Sequence, residues 1–361
     1  MKRYMTIGHG SGRAKLSCCK GLLSLFLSVL VPLYLFTACS TIDEDMSDCG
    51  STVTYDLTLV TNINTEIETQ LETKLSTEVE LEIAHLLRDY LKDIFTDYAH
   101  DVNLSFYDTE KDSIRLHHDE HIMDANQASY TLNLPMREYM HLAAANLVNN
   151  QEVSIERDDR CHTSMLHQVE KDTIDNHTTG LFTARQPMNV LEGINQQFNV
   201  RLYMANCAAA LLIDPRGQEV KDVKVYSTGF ATSFDICDST YVFPAKSPIV
   251  RMDEMKVQDQ HVFCSVNFPS RDAEQTRVVI ENAEVFDEEA GDVSLWKYEV
   301  YVWLSDGTIT KTELNFRESL QAGQFKITKC WIGDQGVIYT TDNEVSTSVT
   351  LDWKGGLVIK G

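Results

Sequence analysis

The chain has 361 residues, of which 31 are Lys or Arg and 54 are Asp or Glu, so its formal net charge is −23. A surface this acidic repels phosphate backbones, which argues against nucleic-acid binding. Hydrophobic residues make up 43% of the chain and aromatic residues 9%, which are proportions of a packed protein rather than a disordered one. The length predicts about two domains.

The first 38 residues are typical of a secretory leader. They contain five basic residues and no acid, and residues 21–36 form an uncharged apolar run. That run of 16 residues is shorter than the roughly 18 residues of a spanning helix, so it predicts a signal peptide over residues 1–38. Thr37 and Ala38 precede Cys39 in a stretch similar to a bacterial lipobox, in which the cysteine is acylated, although Phe36 stands where Leu is usual. The alternative is an uncleaved membrane anchor.

Four acids, Asp43, Glu44, Asp45 and Asp48, lie within ten residues after Cys39. This pattern resembles the surface-export signal of Bacteroidota lipoproteins, and a solvated acidic stalk is the alternative. Beyond the leader and Cys39, six cysteines remain, and their 15 possible pairings stay unassigned: Cys49, Cys161, Cys207, Cys237, Cys264 and Cys330. Of these, Cys207, Cys264 and Cys330 lie in or beside apolar runs and are predicted to be small buried side chains.

Periodicity in the first half predicts strands interrupted by helix. In residues 51–61 every second side chain is apolar, which predicts a strand carrying Val53, Tyr55, Leu57 and Leu59. Residues 65–99 have the apolar stripe of one or two amphipathic helices. Strand patterns return at residues 102–107, 130–135 and 139–147.

The second half is more plainly β. The polar stretch 158–180 is the best candidate for a domain boundary, and apolar alternation then predicts strands at residues 198–204 and 208–213. Asp306-Gly307 predicts a two-residue hairpin turn, and residues 325–332 a further strand. Val349, Leu351 and Trp353 alternate at the end of the chain. The predicted fold class is all-β with a helical insertion after the first strand.

No candidate catalytic or metal-binding motif fits its context. His117 to His121 matches H-x-x-E-H, but a zinc site of that type needs a helix, and these residues are predicted to form a solvated loop between strands. Cys161 and His162 are neighbours, whereas a nucleophile and its base normally come from distant segments. The acids 287–289 and Asp292 lack the ligand spacing of a calcium loop. The sequence therefore predicts no enzyme, no metal and no cofactor, although a remote carboxylate pair for glycoside hydrolysis stays open.

Several segments taken together resemble the FimB-like fimbrial anchor lipoproteins of Bacteroidota, part of the fimbrillin superfamily of type V pili. The similar segments are distributed along nearly the whole mature chain, at residues 39–49, 101–108, 130–146, 180–185, 200–202, 320–327 and 349–353. This resemblance implies two tandem transthyretin-like β-sandwich domains, over residues 39–178 and 179–361.

The resemblance also implies how such a subunit assembles. Stalk subunits capture a strand of the next subunit after proteolysis removes their own first strand, whereas an anchor keeps that strand, here the one with Val53, Tyr55, Leu57 and Leu59. The C-terminal segment with Val349, Leu351 and Trp353 would be the donor strand. The implied partners are fimbrial stalk subunits and the outer membrane, reached through acylated Cys39, and the implied location is the cell surface.

Two other functions stay open at this point. The chain could be a tip-type or stand-alone surface adhesin that binds host or bacterial glycans or proteins, since four Trp and 14 Tyr allow aromatic binding surfaces. It could also be a surface hydrolase, if folding brought two buried carboxylates together.

Overall fold

A computed structural model describes residues 51–59, 73, 80–95, 101–109, 114–121, 129–148, 150–157, 160–257, 259–272, 294–343 and 345–351. All of them belong to one compact unit, Gly50–Gly361. One long helix, α1 (Leu81–Phe95), follows the first strand. The strands of the first half are β1 (Ser51–Leu59), β2 (Val102–Asp108), β3 (Ile114–His121), β4 (Ser129–Leu134), β5 (Glu138–Ala145), β6 (Val153–Glu156), β7 (Met165–Gln168), β8 (Thr173–Ile174), β9 (Phe182–Asn189) and β10 (Gln196–Met204).

The remaining strands confirm the all-β prediction for the second half. They are β11 (Cys207–Asp214), β12 (Val220–Thr228), β13 (Ser233–Asp235), β14 (Thr240–Val242), β15 (Ile249–Arg251), β16 (Asp253–Val257), β17 (Gln260–Asn267), β18 (Trp296–Leu304), β19 (Ile309–Phe316), β20 (Phe325–Ile332), β21 (Ile338–Thr340) and β22 (Val345–Thr350). Short 3-10 turns lie at Cys161–Thr163 and Asp334–Gly336.

The described strands form four sheets. Sheet I has the order β3-β2-β5-β9-β10-β1-β4, and sheet II the order β16-β17-β11-β20-β21. Sheet III has the order β22-β19-β18-β12-β15-β8, and sheet IV the order β14-β13-β7-β6. Three of the pairings are parallel, namely β1 with β10, β11 with β20, and β15 with β8.

Three apolar clusters hold the sheets together. The first combines one face of sheet I, one face of sheet II and helix α1, and the second joins the other face of sheet II to sheet III. The third joins the other face of sheet I to sheet IV. The inner strands β2 and β5 of sheet I and β11 and β17 of sheet II are therefore covered on both faces, which explains why β2 and β11 are almost continuous runs of buried residues.

Alternation within β11 shows how one strand serves two cores. Ala208, Ala210 and Leu212 belong to the first cluster, whereas Leu211 and Ile213 belong to the second. Because successive side chains of a strand point to opposite faces, a strand buried on both sides has no polar positions to alternate with.

Helix α1 packs through one face. Ile83, Leu87 and Leu91 are four residues apart, so they lie on one side of the helix, and all three are buried in the first cluster. On the same helix the Tyr90 hydroxyl donates a 2.8 Å hydrogen bond to Oδ2 of Asp253, at the start of β16. Part of the predicted helical stretch 65–99 is thus confirmed, and most of the rest lies outside the described residues.

The cysteines divide into one disulfide and three free thiols among the described residues. Cys161 and Cys237 are joined, with Cα atoms 5.7 Å apart and a sequence separation of 76, within the third cluster. Cys207, Cys264 and Cys330 are free and buried, as predicted. Burial raises the pKa of the Cys330 thiol to about 12, so it stays protonated. Cys49 lies outside the described residues.

One sequence prediction is wrong and a second stays open. Residues 117–121 belong to β3, which pairs with β2 at one edge of sheet I, and are not a loop. The polar sequence was misleading, because an edge strand can pair with its neighbour through backbone hydrogen bonds without alternating apolar side chains. The domain boundary after residue 178 stays a prediction, although strand pairing crosses it, since β9 and β10 lie in sheet I between β5 and β1.

Candidate functional site

The first strand is an inner strand of sheet I. β1 pairs in parallel with β10, from Val53 opposite Gln196 to Leu59 opposite Leu202. On its other side it pairs antiparallel with β4, from Ser51 opposite Leu134. All four residues predicted for this strand therefore lie in β1, and its backbone joins two neighbours that have no direct pairing with each other.

The two neighbours of β1 present apolar side chains to the core. Val200 and Leu202 of β10 and Leu132 and Leu134 of β4 all belong to the first cluster. Adjacent strands lie about 4.8 Å apart, so without β1 the strands β10 and β4 would flank a gap about 10 Å wide above apolar side chains. Such a gap is the form of groove that accepts an added strand.

The last described strand is an edge strand. β22 is at the end of sheet III and, among the described strands, pairs with β19 alone, with Val349 opposite Thr312. Val349 is 43% exposed and Leu351, which follows the strand, is 50% exposed. Trp353, the third residue of the predicted donor strand, lies outside the described residues. The edge thus presents two apolar side chains at alternate positions.

A charge network covers the outer face of sheet III next to β22. Glu299 of β18 lies directly opposite Glu313 of β19, and the ammonium groups of Lys297 and Lys311 each contact both carboxylates at 2.6–3.3 Å. Burial lowers the pKa of Lys311, but the bonds to Glu313 and Glu299 outweigh it and leave that pKa raised. Burial likewise raises the pKa of Glu313, and the bonds from Lys311 and Lys297 outweigh it and leave that pKa lowered.

The structure also contains an aromatic surface feature that sequence reasoning missed. The Arg216 guanidinium carbon lies 4.0 Å from the centroid of the Trp331 ring, and Trp331 stacks on Tyr339, whose side chain is 45% exposed. Beside it is a cleft of about 260 Å³ whose walls include Asp214 and Gln260. A turn sequence after the apolar run 208–213 is the one signal that could have drawn attention to Arg216.

The other candidate motifs do not form catalytic arrangements within the described residues. Cys161 is in the disulfide, so it has no thiol for His162 to activate. In the part of the chain that the structure describes, no group of three His, Cys, Asp or Glu side chains could hold a metal ion. The acids at 287–289 and 292 lie outside that part.

The membrane predictions concern the start of the chain. Cys39 lies outside the described residues, as does the whole leader. Among the helices that the structure describes, none combines the length and the apolarity needed to cross a bilayer.

Comparisons with known proteins give distant structural resemblance alone. No family model matches the chain, and no curated protein matches it. The fimbrial anchor protein Mfa2 from Porphyromonas gingivalis is 11% identical, with a TM-score of 0.46 over 84% of this chain and 99% of that one. A crystal structure of DUF1812 proteins from Bacteroides thetaiotaomicron is 8% identical, with a TM-score of 0.48 over 82% and 97%. The C-terminally truncated tip fimbrial protein Mfa3 from Porphyromonas gingivalis is 11% identical, with a TM-score of 0.37 over 84% and 99%. Likeness at these identities and TM-scores does not assign a function to this chain.

Proposed function

We propose that this chain is a lipid-anchored subunit of a surface fimbrium, and that it tethers the fibre to the outer membrane by donating its C-terminal strand. The observation that supports the anchor role is the position of β1, which fills the place between β10 and β4. A subunit that keeps this strand has no open groove there, so it can end a chain of strand exchange rather than continue it.

The C-terminal edge supports the donor role. β22 is held by β19 alone among the described strands, and its exposed Val349 together with Leu351 provides side chains for alternate pockets of an acceptor groove. Main-chain hydrogen bonds would provide the affinity for the acceptor groove, and the alternate side-chain pockets would provide the specificity. The proposal includes no catalytic activity and no cofactor.

The test of this proposal is to locate the fibres when the lipid is absent. Cys39→Ala is introduced in the native cell, with Cys19→Ala, a cysteine of the leader, as the matched control. Fibres are followed by electron microscopy and by fractionation, and export of the variant is checked in the same fractions. We expect the Cys39→Ala cells to shed fibres into the medium and the Cys19→Ala cells to retain them. Fibres that stay on Cys39→Ala cells would contradict the anchor role.

A second candidate function is adhesion, and the aromatic surface around Arg216 favours it. The exposed Tyr339, stacked on Trp331, offers an aromatic face beside the polar groups of the cleft. An adhesin would lose binding to host or bacterial surfaces on Tyr339→Ala while its fibres stayed on the cell. An anchor would show no change in such a binding assay.

A further inference from the structure

Two turns at one end of sheet I expose large apolar side chains. Met136 lies in the turn between β4 and β5 and is 53% exposed. Leu191 and Ile194 lie in the turn between β9 and β10 and are 44% and 53% exposed. We call these three residues the apolar turn patch.

The two turns are neighbours and have fixed conformations. The backbone N–H of Val190 donates a 2.9 Å hydrogen bond to the carbonyl oxygen of Arg137, which ties one turn to the other. Within the second turn, the N–H of Leu191 donates to Oε1 of Gln196 at 2.7 Å, and Nε2 of Gln196 donates to the carbonyl oxygen of Asn189 at 3.0 Å. The side chains of the patch therefore lie close together at one end of the strands of sheet I.

The first described strand, β1, begins at this same end of sheet I. Ser51 is opposite Leu134, the last residue before the first turn, and Val53 is opposite Gln196, the residue after the second turn. The start of β1 and the apolar turn patch thus lie at the same end of sheet I.

The length of the segment before β1 limits how far a membrane tether can be from the patch. Cys39 precedes Gly50 by eleven residues. At a maximum of about 3.6 Å per residue, these residues span no more than about 40 Å, so a bilayer that holds Cys39 lies within that distance of the start of β1.

The charges at this end argue for one kind of surface. Glu138 and Glu192 are exposed there, and the guanidinium of Arg137 is paired at 2.7 Å with the buried carboxylate of Asp108. An apolar surface with exposed acids and a neutralised arginine suits zwitterionic lipid, because the described residues of these two turns carry no unpaired positive charge to attract anionic headgroups.

We propose that the apolar turn patch rests in the headgroup region of the membrane to which the chain is tethered, and so fixes the orientation of the body on that membrane. The inference rests on the membrane tether of the proposed function. A tether alone limits the distance between body and bilayer, whereas a second contact also sets which end faces the lipid.

The test places a reporter at the patch in the full-length chain. Ile194→Trp introduces a tryptophan at the patch, and Val148→Trp introduces one at a residue that is also 53% exposed. Val148 follows the far end of β5, as shown by the pairing of Ala145 with Val102 while Tyr139 pairs with Asp108. Each protein is extracted from cell membranes and reconstituted in vesicles of phosphatidylcholine with or without bromine on the acyl chains. The unsubstituted chain provides the background, and palmitate labelling at Cys39 is scored in parallel.

We expect brominated lipid to quench the emission that Ile194→Trp adds and to leave the emission that Val148→Trp adds unchanged. We also expect replacing half of the phosphatidylcholine by phosphatidylglycerol to weaken the quenching. If brominated lipid quenches the same fraction of the added emission in both variants, the membrane contact is overturned, even where the palmitate label is present. Absence of the label with quenching intact would instead overturn lipidation and keep the contact, since an uncleaved leader tethers the same end. A chain recovered wholly in the soluble fraction would overturn both.

Discussion

At the scale of single residues, Gly229 shows how closely the backbone packs at the end of β12. Its φ is +103°, and a Cβ atom there would lie 2.6 Å from Cα of Trp296 and 2.7 Å from the carbonyl oxygen of Leu295. Trp296 cannot retreat easily, because its ring stacks on Phe316 and its Nε1 donates to the carbonyl oxygen of Glu318. Gly229→Ala therefore combines an unfavourable φ with a backbone clash.

We expect Gly229→Ala to lower the free energy of unfolding by at least about 1–3 kcal/mol. Gly217→Ala is the matched control, because Gly217 also has a positive φ, +78°, but has nothing within 4 Å of the added Cβ. That variant should lose less, about 1–2 kcal/mol from the positive φ alone. Urea titration of both variants measures the difference, and equal losses would mean that the clash with Trp296 is relieved at no cost.

His177 makes the stability of the fold depend on pH. The residue is fully buried between Asn206 and the ring of Phe268, and its Nε2 has no hydrogen-bond partner among the residues that the structure describes. Burial lowers the pKa of its imidazole from 6.5 to about 3. Between these values the unfolded chain binds the proton and the folded chain does not, so the contribution to stability is complete above pH 6.5 and is lost as the pH falls towards 3.

The expected loss from this one group is about 1.4 kcal/mol per pH unit between pH 6 and pH 4. His177→Leu should remove this loss, so the unfolding free energy of the variant should fall less steeply with decreasing pH than that of the unsubstituted chain. His162→Gln, at an exposed histidine, serves as control and should leave the pH dependence unchanged. If the unfolding free energies of His177→Leu and of the unsubstituted chain, measured by urea titration, fall equally from pH 7.5 to pH 4.5, His177 is not the group responsible.

At the scale of elements, the β18–β19 hairpin is stabilised by alternating charges on its outer face. Glu299 and Glu313 are opposite each other, an arrangement that is unfavourable for two like charges unless cations separate them. Lys311 contacts both carboxylates, at 3.3 Å and 2.6 Å. Lys311→Met should therefore destabilise the fold by about 1 kcal/mol, with the larger effect at low ionic strength.

A second substitution tests this cause. Glu313→Gln removes one of the two facing charges, so it should recover most of the loss when combined with Lys311→Met. Chemical denaturation of the two single variants and the double variant at low and high salt gives the coupling free energy between Lys311 and Glu313. Additive losses that do not change with salt would show that repulsion between the two facing carboxylates is not the cause of the loss.

Elements with strong local signals could be predicted from sequence. Residues 325–332 are a strand with the predicted bounds. Asp306-Gly307 lies in a hairpin as predicted, but the two-residue turn is wrong, because the N–H of Leu304 donates to the carbonyl oxygen of Thr308 and leaves a three-residue loop, Ser305 to Gly307, with Gly307 at a φ of +94°. The strand β3 was missed because its sequence is polar from His117 to His121, and the pairing that defines it comes from the backbone of β2.

At the scale of the whole molecule, sheet order was beyond prediction from one sequence. The parallel pairing of β11 with β20 and of β1 with β10 joins segments that are far apart in the chain, and neither pairing leaves a local signal. The candidate site shares this limit, since alternation identified the residues of β1 and of the C-terminal segment. It could not reveal that β1 lies inside a sheet while β22 lies at an edge.

The edge position of β22 leads to a prediction about assembly. Val349 is 43% exposed and pairs through its backbone with Thr312, so Val349→Asp places a charge where water already reaches and should leave the fold intact. If the strand is donated, the same side chain has to enter an apolar pocket of the acceptor, and a buried unpaired carboxylate there costs several kcal/mol. The variant should therefore fold normally and fail to retain fimbrial subunits.

Val242→Asp is the matched control, because Val242 is also a valine at 43% exposure, on the short edge strand β14 of sheet IV. Both variants should unfold at the temperature of the unsubstituted chain, and copurification of fimbrial subunits from detergent-solubilised membranes should be lost for Val349→Asp alone. Retention by Val349→Asp would exclude β22 as the donor while leaving the lipid tether unaffected. Loss in both variants would indicate that capture depends on the overall negative charge of the body rather than on a particular strand, because the two substitutions add the same charge to different sheets.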